Sequence, residues 1–231
     1  MPALRDGLWH HGCEVDDADV RVCFYGDMFR RRPGSEAEER LEQSRAGIAE
    51  TLGDLNGGDA IAALGQAASD AAFDRTVDMV AVMTTEPDLR DRIRGRLEAV
   101  IDDDTRVVVA HSLGSVLAYL ALCNHPAWSV DTFVTLGSPL AAPMVAGVLD
   151  PQPDGGTAPW PGPVRRWVNV RAVADRAAAL PLAGRFGPGV EDVLVDNGHR
   201  AHAPEPYLNA DVTGEAVAAA LGVDPTRRTP S

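Results

Sequence analysis

Three residues whose side chains together can activate a hydroxyl group occur in order along this chain: Ser112, Asp175 and His202. Ser112 stands in Ala110-His111-Ser112-Leu113-Gly114-Ser115, after the apolar run Val107-Val108-Val109 and before a stretch rich in Ala and Leu. A strand, a tight turn of small residues and a helix are what hold a serine hydroxyl on a sharp, accessible bend. Gly114 permits the close approach, and Ala110 takes a position where glycine is commoner with a side chain small enough to serve. A serine hydroxyl is a weak nucleophile until a neighbouring base takes its proton. An imidazole oriented by a carboxylate does this, and the amide of Leu113 would donate to the oxygen on which negative charge develops.

Such side chains need elements to carry them. Residues 1–13, with Leu4, Leu8 and Trp9 at helical spacing, predict a short helix before Gly12. Val20-Arg21-Val22-Cys23-Phe24-Tyr25 reads as a strand closing at Gly26-Asp27. From 36 to 101 helix formers dominate, divided by Pro33-Gly34, Asn56-Gly57-Gly58 and Pro87 into three helices. Arg106 to Ala110 is a short continuous apolar run, the pattern of a strand buried on both faces of a parallel sheet. A helix over 114–124 and a strand over 130–136 follow, the latter closed by Gly137-Ser138-Pro139. Residues 150–163 form a Pro- and Gly-rich loop, 166–171 and 191–196 are strands, and 212–221 is a terminal helix. The tail 222–231 reads as disordered. Strands alternating with helices predict one α/β domain over 1–231, its mostly parallel sheet flanked by helices.

On that frame Asp175 follows the strand 166–171 in the short loop Ala172-Val173-Ala174-Asp175, where an acid should end a strand. Its plainer role would be a surface ion pair with Arg176. The loop after the last strand holds His199 and His202. His202 is preferred because it leads into Ala203-Pro204-Glu205-Pro206-Tyr207-Leu208, and His199 is the alternate. Asp131 begins a strand instead of ending one, which argues against it. Asp192 and Asp196 flank the last strand, and Asp196 is the reserve acid. His10 and His11 read as solvent-facing and His125 as a helix-end residue.

The formal net charge is −13, from 34 acidic and 21 basic residues. An acidic surface repels phosphate backbones, and Arg30-Arg31-Arg32 is too short a basic run to reverse that, so no nucleic-acid partner is expected. Cys13, Cys23 and Cys123 form no CxxC pair and read as buried or half-buried thiols in a reducing compartment. No apolar run approaches the ~18 residues of a membrane span, and the N-terminus carries no signal-peptide core, so a cytoplasmic location is expected.

The segment Val108-Val109-Ala110-His111-Ser112-Leu113-Gly114-Ser115 resembles the α/β-hydrolase superfamily, especially its lipase-like and esterase-like serine hydrolases. So do Thr135-Leu136-Gly137-Ser138-Pro139-Leu140, Trp167-Val168-Asn169-Val170 leading to Asp175, and His202 to Leu208. The resemblance covers roughly 20–27 and 100–221. It implies an eight-stranded pattern, ester or related acyl-transfer chemistry on a small-molecule acyl substrate, and no metal or organic cofactor.

One part of the family pattern is missing. Such proteins begin with a strand ending in a His-Gly loop that supplies the second oxyanion amide, whereas this chain starts inside the helix that comes after that loop. His11-Gly12 is a literal His-Gly pair but follows a helical pattern and reads as a helix end. By the family's strand order the absent strand would lie between 20–25 and 106–110. Its loss would leave a gap in the sheet or force those two strands to pair. Three expectations compete. The favoured one is a natural start upstream of Met1. The others are an impaired hydrolase acting as a binding or regulatory module, and a substitute amide, for which Gly26 is the candidate. An incomplete sheet would be covered by a second copy or another partner.

Overall fold

The structure, a computed structural model, describes residues 2–29, 76–83, 85–145, 148–149 and 157–223. The expectations for Arg30-Arg31-Arg32, for the helices of 36–75, for the loop over 150–156 and for the tail over 224–231 lie outside the described residues.

A four-stranded, all-parallel sheet organises the chain: β1 (Val107–His111), β2 (Thr132–Leu136), β3 (Arg166–Ala172) and β4 (Val190–Val195), ordered β1-β2-β3-β4. The burial of each strand follows from its place. All five β2 residues are buried, whereas the edge strands β1 and β4 show intermediate or exposed positions. The β-branched and aromatic residues of β2 and β3 fit the pleat from both sides.

Side chains alternate across the sheet and divide the core in two. One face, carrying Phe133 and Trp167, packs against α2 (Pro87–Glu98), α3 (Leu113–Asn124) and the helical residues 76–83. The other, carrying Val134, Leu136, Val168 and Val170, packs against α1 (Pro2–Trp9) and α6 (Asp211–Ala220). Between β3 and β4 lies the single turn α4 (Ala183–Phe186), and before α6 the short α5 (Pro204–Leu208). Helix α2 starts at Pro87, whose missing N–H costs nothing in a first turn, and buries Leu89 and Ile93 one turn apart. The result is an α/β sandwich of three layers.

Trp167, fully buried, meets Phe133, Tyr119, Trp160 and Phe186 with ring centroids 4.9–5.9 Å apart. Its Nε1–H donates to Thr135 Oγ1, which donates to Asn169 Oδ1. Asn169 Nδ2 donates to Asp192, which also accepts the backbone N–H groups of Leu182 and Ala183. Asp192 is therefore spent on joining β3, β4 and α4, which satisfies polar groups that burial would otherwise penalise.

Two expectations are corrected. Residues 20–25 form no strand: they are irregular, lead into a one-turn 3₁₀ helix (Gly26–Phe29), and leave Val22 and Phe24 exposed. They are held by side chains, Arg21 on Asp102 and Arg96 on both Asp27 and the carbonyl of Phe24, and pair with no strand among the described residues. Neither direct pairing of 20–25 with β1 nor a gap inside the sheet results. Among the described residues β1 is instead an edge, and they contain four strands where the family pattern implies eight. His11, expected at the surface, is 2% exposed, because the turn through Gly12 brings its Nε2 within 3.0 Å of Asp211 at the start of α6. His10 is exposed and His125 caps the end of α3, as read from the sequence. Cys13 is buried and Cys23 and Cys123 are half-buried, all three as free thiols.

Among the described residues no helix is long and apolar enough to cross a membrane.

Candidate active site

The side chains picked out in the sequence converge beyond the carboxyl ends of β1, β3 and β4, the end of a parallel sheet where ligands bind. Ser112 follows β1 directly with φ 52° and ψ −132°, and is the one non-glycine residue at positive φ among those described. A backbone in that region costs about 1–3 kcal/mol and persists only where surroundings impose it. Here the Ser112 N–H donates to the Leu136 carbonyl at the end of β2 (2.9 Å), while its own carbonyl accepts from the N–H and Oγ of Ser115. Ser115 Oγ in turn meets Ser138 Oγ at 2.6 Å. The bend is clamped on both sides.

Small residues are required around it. A Cβ on Gly114 would come within 3.0 Å of the Tyr25 hydroxyl oxygen. Gly137, after β2, has φ +55°, and a Cβ there would lie 2.8 Å from Asp175 Oδ2. No other residue type suits Gly137, for reasons of both backbone and space.

His202 Nε2 lies 2.9 Å from Ser112 Oγ, and His202 Nδ1 lies 2.9 and 2.8 Å from the two oxygens of Asp175. A carboxylate only accepts, so Nδ1 carries the proton and the Nε2 lone pair faces the serine O–H. Asp175 is 2% exposed. Its carboxylate also accepts from the Ala177 N–H (3.0 Å) and the Tyr207 O–H (2.6 Å). Asp175 is thus organised by the His202 imidazole, the Ala177 N–H and the Tyr207 O–H.

The two alternates, His199 and Asp196, sit elsewhere. His199 is exposed on the 3₁₀ turn Gly198–Arg200, and the hydrogen-bonded line from Ser112 runs through His202 instead. Asp196 is exposed and accepts from the Gly198 N–H within that loop. Leu113 is the first residue of α3, where backbone N–H groups lack partners within the helix. Gly26 opens its 3₁₀ turn on the wall of the groove that contains Ser112.

Tyr207 was missed. It is fully buried, donates to Asp175 and accepts the Ala172 N–H (2.8 Å) at the end of β3. Burial, then the charge of Asp175, raises its pKa well above the usual tyrosine range, so it remains a donor. The only signal in the sequence is an aromatic residue five positions after His202, which reads equally well as core. Tyr207→Phe keeps the ring but strands a buried N–H and removes a donor from Asp175. It is expected to lower unfolding free energy by about 1–3 kcal/mol in a urea titration. An unchanged midpoint would show that the hydroxyl is not holding β3 to the acid.

A groove of about 1430 Å³ runs along β1 and reaches Ser112 and His202. Its walls include Phe24, Tyr25, Val107 and Val109, and no residue of β2, β3 or β4 contributes. Among the described residues no strand pairs with the outer side of β1, and the groove lies along it beside the candidate site.

Comparison with protein-family models, with curated proteins and with solved structures found no match to this chain.

Proposed function

We propose that this chain is a serine hydrolase of the α/β-hydrolase type that cleaves carboxylic esters through an acyl-enzyme. The observation that carries the reading is the line Ser112 Oγ–His202 Nε2, His202 Nδ1–Asp175, with the serine on a backbone bend forced to positive φ. Ser, Asp and His follow the ends of β1, β3 and β4 in the chain order of that fold.

In this mechanism His202 takes the Ser112 proton as the oxygen attacks the ester carbonyl carbon. The charge then on the carbonyl oxygen is met by the Leu113 N–H at the start of α3, where the helix dipole adds to the donor. The Gly26 amide, which lines the same groove, is the candidate second donor. Buried Asp175 stabilises the imidazolium without taking its proton. The imidazolium passes the proton to the departing alkoxide, which leaves as alcohol. Water, deprotonated by His202, then attacks the acyl-serine, the acid departs, and Ser112 recovers its proton. The groove beside β1 provides room for the substrate's acyl or alcohol portion.

A fluorophosphonate probe, which phosphonylates activated serines with loss of fluoride, tests the proposal directly. The wild-type protein is expected to become labelled on the peptide containing Ser112, and to hydrolyse members of a p-nitrophenyl ester series of increasing acyl length. A folded protein that takes up no label and turns over no ester would overturn the reading.

A further inference from the structure

Immediately before Ser112, His111 makes a contact that the proposed mechanism does not use. Its side chain is half-buried at the end of β1, and its Nε2 lies 2.9 Å from the backbone carbonyl oxygen of His202. The two imidazole rings are 4.9 Å apart, and the His111 ring is 5.9 Å from that of Tyr207. A carbonyl oxygen can only accept, so His111 Nε2 carries a proton and donates it.

We propose that His111 is a positioning residue for His202, fixing by its Nε2–H the backbone from which the His202 side chain reaches Ser112. The proposal rests on the serine-hydrolase reading above. Two consecutive residues then grip His202 at two points: Ser112 at the imidazole, His111 at the main chain. The grip matters because His202 hangs from a loop whose residues 198–200 are exposed, and whose backbone-to-backbone bonds, such as Ala203 N–H to Arg200, are short-range. A loop of that kind drifts unless tertiary contacts stop it.

The surroundings suit a neutral imidazole. Burial, followed by the adjacent His202, lowers the pKa of His111 to about 4, against the opposing pull of Asp175 and Glu205. Tyr207 faces the same ring with its hydroxyl committed to Asp175. At neutral pH His111 is therefore an uncharged donor that adds no positive charge beside the imidazolium formed in the reaction.

The test compares His111→Phe with His111→Gln in the full chain, using p-nitrophenyl acetate. Phe keeps a ring and loses the donor, whereas Gln restores an N–H at similar reach. His111→Phe is expected to lose about 10–100-fold in kcat with KM within about twofold, the cost of sub-ångström misplacement of a reacting group. His111→Gln is expected to recover to within about fivefold of wild type. Should the Phe variant not fold, His111→Asn, whose amide falls short of the carbonyl, takes its place.

Hydrogen–deuterium exchange across 196–203 reads the anchor without turnover and should be faster in the Phe or Asn variant than in wild type or Gln. Wild-type kcat in the Phe variant, or equal impairment of Gln and Phe, overturns the positioning role. If wild type is never labelled by fluorophosphonate but exchange follows the stated pattern, the hydrolase reading fails and the anchor stands. Labelling at Ser112 with exchange unchanged in every variant overturns the anchor and leaves the hydrolase reading in place.

Discussion

Ser112→Ala is expected to abolish fluorophosphonate labelling and to lower ester turnover by about 10⁴–10⁶-fold, the range over which removing an activated serine acts. The substitution removes one oxygen atom, the one 2.9 Å from His202 Nε2. Alanine retains the Cβ, so the strained backbone at φ 52° is neither relieved nor worsened. The clamp is made by main-chain groups of residue 112 with Leu136 and Ser115, which the substitution leaves in place. Thermal unfolding should therefore shift little, and loss of activity with an intact melt separates chemistry from folding. Residual hydrolysis from the Leu113 donor and from binding should remain above the uncatalysed rate. A variant that labels as fast as wild type would remove Ser112 from the mechanism altogether.

How far the site was legible depended on whether its signal was local. The bend at Ser112 was readable because strand, small residues and helix are contiguous, and each shapes the next. The strands β2, β3 and β4 are readable because each carries a short continuous or alternating apolar run, and their observed bounds differ from the expected ones by at most two residues. Asp175 and His202 are not local to Ser112. Only chain order along the strand ends connects them to it, and that is a property of topology. The choice of His202 over His199 rested on the segment from Ala203 to Leu208, most of which is α5, and the Tyr207 of that helix holds Asp175.

The failures were of another kind. Residues 20–25 have the composition of a strand, but composition describes a side-chain pattern and not the presence of a neighbour to bond with. Val22 and Phe24 consequently sit in solvent. His11 looked like the exposed end of a helix, and only the packing of α1 against α6 buries it. Tyr207 and the half-buried His111 carry nothing in the sequence that distinguishes a hydrogen-bonding side chain from ordinary packing. In each case the missing information is which element docks on which.

That docking makes the loop after β4 the part of the site where the two histidines can be told apart. His202→Ala is expected to lower kcat by about 10⁴–10⁶-fold and His199→Ala to change it by less than about twofold, since only the base acts with the serine as a unit. His202 is bonded to both Ser112 and Asp175, and its side chain is 11% exposed. Replacing it leaves a buried carboxylate still held by Tyr207 and the Ala177 N–H, so the protein should remain folded. It also leaves Ser112 with no group to take its proton, so labelling by fluorophosphonate should slow in step with ester turnover. His199 is exposed on its turn, and its replacement by alanine removes no contact of Ser112 or Asp175. Loss of activity on replacing His199, with His202→Ala still active, would move the base one turn along the loop and require a different hydrogen-bonded geometry. The paired variants thus test the hydrogen-bonded line itself, because they differ only in which imidazole of one short loop is removed.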